Sequence, residues 1–249
     1  MCQRCANDVA SNGQPASPSR RNALSMIGAI SLLGMSAAVQ AAQSNPPPKP
    51  HNALPPEEAI QRLMAGNERY VSGETRDKVF ASTRAALTRG QNPYACILSC
   101  ADSRVSPELC FDEERGDLFV TRVAGNYVTN DILASLEYGV AVLNTPLIMV
   151  LGHTRCGAIS AAVSSHEKRA EFPGHIQTII TALLPAVRAA AGTSYTGTLT
   201  EASTVENIRQ NVKRLEKANP IISAAVLDKR TQVVGGIYDL ETGKVQLVT

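Results

Sequence analysis

Two short segments of this 249-residue chain carry residue types that could hold a metal ion and use it. Cys100-Ala101-Asp102-Ser103-Arg104 gathers a thiol, a carboxylate and a guanidinium. In an extended chain alternate side chains share a side, so Cys100, Asp102 and Arg104 would face together. His153-Thr154-Arg155-Cys156-Gly157 sets an imidazole and a thiol three residues apart. Across a turn into a helix these two can meet one ion, and Gly157 lets the backbone come close. Two thiolates and one imidazole suit a tetrahedral Zn²⁺ and leave a fourth position, the mark of a catalytic rather than a structural site. Two thiolates cancel the charge of the ion, so water there is acidified less than by three neutral imidazoles. Asp102 is the group to assist, and Arg104 the partner that keeps it ionised and aimed. Taken singly, each motif has a plainer account. Cys100 could be a small core residue, Asp102 and Arg104 a loop ion pair, His153 a hydrogen-bonded core histidine. Their combination is what points to a metal.

Each segment must therefore end a strand. Ala95–Ser99 and Leu147–Gly152 are apolar, β-branched runs that precede them, and open α/β sheets carry their sites at the carboxyl ends of such strands. Leu118–Thr121 and Ser223–Leu227 read as further buried parallel strands. Asn130–Leu143, Ile176–Ala191 and Thr204–Ala218 read as intervening helices. A helix opens at Pro55-Pro56-Glu57-Glu58 and runs to Val71, with proline in its first turn and acids at the positive dipole end. Val233–Tyr238 and Lys244–Val248 form a closing hairpin about Glu241-Thr242-Gly243. The alternation predicts an α/β fold, an open and mostly parallel β-sheet with flanking helices, in one domain over 55–249.

Residues 1–41 read as an address rather than as fold. Ser19-Arg20-Arg21-Asn22-Ala23-Leu24 is a twin-arginine pattern, an apolar stretch follows to Ala38, and Val39-Gln40-Ala41 offers a small-residue cleavage site. Cleavage would leave no membrane span and a periplasmic or secreted protein, and would remove the Cys2/Cys5 pair as incidental. Residues 42–54, with Pro46-Pro47-Pro48, read as an extended linker. The segment 1–41 contains three arginines and one aspartate, so the remaining chain carries 21 basic and 21 acidic residues. That balance excludes a nucleic-acid partner recognised by charge. Aromatics at 4% and the absence of tryptophan argue against a stacking platform. Six cysteines are too few for a disulfide scaffold. Cys96 and Cys110 read as buried free thiols, with a Cys96–Cys110 disulfide as the alternative.

With both motifs in hand, the sequence resembles a β-class carbonic anhydrase. The likeness runs through Gly66 to Tyr70, Cys100 to Glu108, Gly116 to Val120, Arg122 to Asn126, Ser135 to Gly139, Gly152 to Ala158 and Gly235 to Asp239. It implies a zinc enzyme that hydrates carbon dioxide reversibly to bicarbonate and a proton through zinc-bound hydroxide. By the same resemblance Cys100, His153 and Cys156 hold the metal, and Asp102 and Arg104 form a catalytic dyad. Gln91, Phe119, Tyr138 and the Gly157 N–H would line the substrate pocket, partly across the interface of a homodimer or dimer-based oligomer. The fold implied is a parallel sheet with one antiparallel edge strand. The bicarbonate-inhibited branch of the family has tryptophan three residues before the first zinc cysteine. Ile97 stands there, so the plant-like, accessible-site form is expected, with Asp102 as fourth ligand only in a closed state at low pH. The alternatives are a carbon disulfide or carbonyl sulfide hydrolase of the same fold, a non-catalytic zinc-stabilised binding protein, or a thiol redox protein.

Overall fold

The computed structural model describes residues 54–248 apart from residue 79. The export signal over 1–41, the Cys2/Cys5 pair and residues 42–53 of the linker lie outside the described residues. Four strands run parallel: β1 (Ala95–Ser99), β2 (Leu118–Arg122), β3 (Leu147–His153) and β4 (Gln232–Tyr238). A fifth, β5 (Val245–Val248), returns antiparallel against β4, and the order across the sheet is β2-β1-β3-β4-β5. Two of the inner strands, β1 and β3, are buried at every residue. Both faces of the sheet are covered, which is why these strands read as unbroken apolar runs rather than as alternation.

Helices divide between the faces. On one, Ile97, Met149 and Leu151 meet Ala59 and Leu63 of α1 (Pro56–Ser72) and Phe111, which follows α3 (Pro107–Cys110). On the other, Cys96, Leu98, Ile148 and Val150 meet α4 (Asn130–Ala141), α7 (Leu199–Glu216) and α8 (Ile221–Leu227) through Leu136, Ile208 and Ile222. A third cluster joins α5 (Gly157–Lys168) to α6 (Ile176–Ala191) around Ile159, Ile180 and Leu183. An eighth helix, α2 (Phe80–Leu87), lies between α1 and β1.

One expected strand is a helix. Ser223–Leu227 belongs to α8, with Ile222 and Ala225 inward and Leu227 82% exposed. A five-residue apolar run has the same composition in either conformation, and three-residue spacing of its buried positions decides for the helix. The sheet position goes to β4, the first arm of the expected hairpin, which pairs with β3 over seven residues while also pairing with β5. The helix α7 begins five residues before the expected start, at a capping box between Thr198 and Glu201. Cys96 and Cys110 are free thiols in opposite cores, so the alternative disulfide is ruled out. Burial raises their pKa values to about 12 and about 11.

The Gly66 to Tyr70 motif clamps α1 onto the sheet. A Cβ on Gly66 would overlap the Phe111 carbonyl. Asn67, 2% exposed, donates from Nδ2 to the carbonyls of Cys110 and Gly243, each at 2.9 Å, and accepts the Val245 N–H at 2.8 Å. Beside it the buried carboxylates of Asp112 and Glu113 face Arg62, Arg69, Arg76 and Lys78 at 2.7–3.5 Å. Burial works against a charge on Asp112, but the hydrogen bond from Arg69 and its other cations win and hold its pKa below the ordinary carboxylate value.

Candidate active site

Parallel pairing of β1 with β3 brings the two motifs together, since Ser99, the last residue of β1, pairs with Leu151, two residues before β3 ends. Cys100 leaves β1, His153 closes β3, and Cys156 caps the first turn of α5. Their ligand atoms all lie within 4.8 Å of one another, and the three residues are 3%, 0% and 1% exposed. The His153 Nδ1–H donates to the Thr154 carbonyl at 2.9 Å. That bond fixes the tautomer and leaves a lone pair on Nε2, which is buried without a hydrogen-bond partner. An unsatisfied buried nitrogen is costly, and a cation held with two sulfurs answers it. The donor set of two thiols and one imidazole fits zinc.

Hydrogen bonds support the ligands from behind. The Gly125 N–H donates to Cys100 Sγ at 3.3 Å. Gly125 has φ +85°, and a Cβ there would come within 2.8 Å of Leu183, so glycine is required on both counts. Its carbonyl is held by Asn207 Nδ2 at 2.9 Å. A hydrogen bond from Cys156 and the nearness of the His153 imidazole pull the Cys100 thiol down to about 4. The same bond, together with burial, pushes the Cys156 thiol up. Burial works against a charge on His153, but the neighbouring Cys100 sulfur outweighs it and raises its pKa.

Asp102 and Arg104 meet, though not by the expected extended chain. A turn at Ser103-Arg104, closed by the Val105 N–H on the Asp102 carbonyl at 3.1 Å, folds Arg104 back. Arg104 donates to Asp102 from its backbone N–H (3.0 Å), from Nε to Oδ1 (2.9 Å) and from Nη2 to Oδ2 (2.7 Å). This fork holds the carboxylate ionised, with a pKa far below the ordinary value. Oδ2 lies 3.9 Å from His153 Nε2, at the mouth of the trio.

The expected pocket residues divide. Gly157 opens α5 next to Cys156, is exposed, and has no atom within 4 Å of where a Cβ would stand. Phe119 and Tyr138 lie together, ring centroids 6.2 Å apart, but not at this chain's own metal ligands. Phe119 pairs with Cys96, about 13 Å along β1 from Cys100. Gln91 is exposed and precedes the opposite end of β1. Arg122 has a role that the sequence reading missed. It donates from Nε to the Cys100 carbonyl (2.9 Å) and from Nη2 to the carbonyls of Asp102 (2.7 Å) and Val105 (2.9 Å). It thereby staples the loop that carries both ligand and dyad.

Known proteins resemble this chain in sequence and in fold. A family model described as carbonic anhydrase matches residues 95–245. The chain is 35% identical to carbonic anhydrase 2 of Mycobacterium tuberculosis over 195 residues, 77% of this chain and 92% of that protein. Among solved structures, the β-carbonic anhydrase CcaA superposes with TM-score 0.59 at 29% identity, over 76% of this chain and 94% of that one. The Coccomyxa β-carbonic anhydrase, solved with acetazolamide, gives 0.58 at 27% identity, over 77% and 82%.

Proposed function

This chain belongs to the β-class carbonic anhydrase family, and from that premise we propose that it is a zinc enzyme interconverting carbon dioxide and bicarbonate. The observation that carries the reading is the buried, unpartnered His153 Nε2 set among two cysteine sulfurs with an ionised Asp102 at its mouth. Cys100, His153 and Cys156 would hold the ion. In carbonic anhydrases with three histidine ligands, bound zinc lowers the pKa of water to about 7. Asp102 accepts a hydrogen bond from the attacking oxygen and so turns a lone pair toward carbon. Arg104 keeps Asp102 from protonating and from turning away. The Gly157 N–H, at the positive end of α5, donates to the substrate oxygen that gains negative charge. The proton leaves past Asp102, which is 17% exposed at its side chain, to buffer.

The accessible-site form is supported by Ile97, fully buried where the inhibited branch has tryptophan, and by the fork that ties Asp102 to Arg104. Gln91, Phe119 and Tyr138 would serve the pocket of a neighbouring copy in a homodimer. The exposure of Gln91 and Tyr138, and the distance of Phe119 along β1 from this chain's own ligands, support that assignment. The sequence over 1–41 supports export by the twin-arginine route, with the folded domain acting outside the cytoplasm.

The test is stopped-flow hydration of carbon dioxide by zinc-loaded protein at about pH 8.4 and about pH 7. Rapid turnover at both, abolished by a chelator and restored by zinc, is the expected result. Turnover at the higher pH alone would mean that Asp102 closes the site. One zinc per chain without turnover would reject the reaction and favour carbon disulfide or carbonyl sulfide as substrate, or a binding role. Cys156→Ala should lose zinc together with activity.

A further inference from the structure

We propose that Thr154 is a positioning residue, which seats the metal-facing ring of His153 on the β4–β5 hairpin. The inference rests on the zinc reading above and adds to it the group that fixes the imidazole. His153 Nδ1 is bonded to the carbonyl of the very next residue, so the ring can be no steadier than the Thr154 peptide. Two hydrogen bonds and a turn steady that peptide. The Thr154 N–H donates to the carbonyl of Tyr238, the last residue of β4, at 2.9 Å. Thr154 Oγ1 accepts the Leu240 N–H at 3.0 Å. The chain then turns sharply, with Arg155 at φ +56°, and this sets the direction in which the Thr154 carbonyl points.

The hairpin is a firm platform. Asp239 Oδ1 accepts the N–H groups of Glu241 (2.7 Å) and Thr242 (3.1 Å), and Asp239 and Lys244 close the turn at 2.9 Å. Asn67 of α1 then holds it at Gly243 and Val245. The other link between the two segments, Arg155 to Glu241 at 2.8 Å, joins side chains that are 71% and 72% exposed. Exposed pairs of that kind contribute little. The threonine hydroxyl is therefore the side-chain tie that matters. Removing it leaves the Leu240 N–H without its acceptor, while the first contact, between backbone groups, remains. Groups that orient a metal-binding histidine typically change metal affinity by about 10–100-fold when lost.

Thr154→Val keeps the shape and deletes the acceptor, and Thr154→Ser keeps the acceptor. Three measurements apply to each: zinc affinity by competition with a chelating dye, the thermal midpoint of metal-free protein, and the His153 Nδ1–H resonance by NMR. The valine variant should bind zinc about tenfold more weakly or worse, with a broadened or lost Nδ1–H signal and a small change in midpoint. The serine variant should behave as the parent. Should the valine variant not fold, Thr154→Ala deletes the same bond without overlap. The proposal fails if the valine variant keeps parental zinc affinity and ring signal. It fails equally if serine does not rescue, or if affinity falls only in step with the metal-free midpoint. A parent protein that takes up no zinc would instead overturn the proposed function, and this inference with it.

Discussion

Asp102 and Arg122 divide the work of the β1 loop between chemistry and scaffolding, and their substitutions should separate. Asp102→Asn keeps size and removes charge. It should retain zinc and lose about 100-fold or more in turnover, the worth of a placed proton acceptor. Near-normal turnover with zinc bound would remove Asp102 from the dyad. Arg122→Met deletes three hydrogen bonds to backbone carbonyls without touching a metal-facing atom. Turnover should fall about 10–100-fold through misplacement of Asp102, with zinc content by metal analysis unchanged. The difference in legibility between the two is instructive. Asp102 was readable because a carboxylate two residues from a thiol has chemistry in its type and spacing. The partners of Arg122 are carbonyls, which every residue owns, so nothing in the sequence marked them.

At the scale of elements, the clamp of α1 on the sheet has its own titration. Asp112 has a buried side chain and faces Arg69, Arg76 and Lys78. Asp112→Asn should cost about 3 kcal/mol in urea unfolding at neutral pH, the low end for a broken buried pair, because the arginines remain half in water. The folded pKa of Asp112 is depressed. Its contribution is therefore present above the unfolded value of about 3.9 and is lost as pH falls through the folded one. The gap between variant and parent should close in acid, and a gap that persists there would point to packing rather than charge. Most of the sheet was readable because buried parallel strands are apolar throughout. The strand expected at Ser223–Leu227 was misread because a five-residue run carries too little periodicity to tell a strand from α8. The site was readable despite that error, since its ligands sit on β1, β3 and α5.

For the whole molecule, the Phe119–Tyr138 pair is the feature that one chain leaves unused. Tyr138 is 48% exposed on α4, Val142 is 56% exposed at its C-cap, and β2 is an edge of the sheet. Tyr138→Arg should weaken self-association by about 2 kcal/mol, roughly 30-fold in dissociation constant. Light scattering on dilution would detect it, and an unchanged mass would place the contact elsewhere. Sequence reading could name these aromatics only by resemblance, because the use proposed for them needs a second copy of the chain. The tie between Thr154 and Leu240 also sets a clock on synthesis. Its two ends are 86 residues apart, and a ribosome adding about 5–20 residues per second makes the metal-binding motifs several seconds before the hairpin that steadies them. During that interval the nascent chain presents two thiols and an imidazole with their final support still unmade. Whatever the ribosome's surroundings offer, metal or oxidant, meets the ligands in that order.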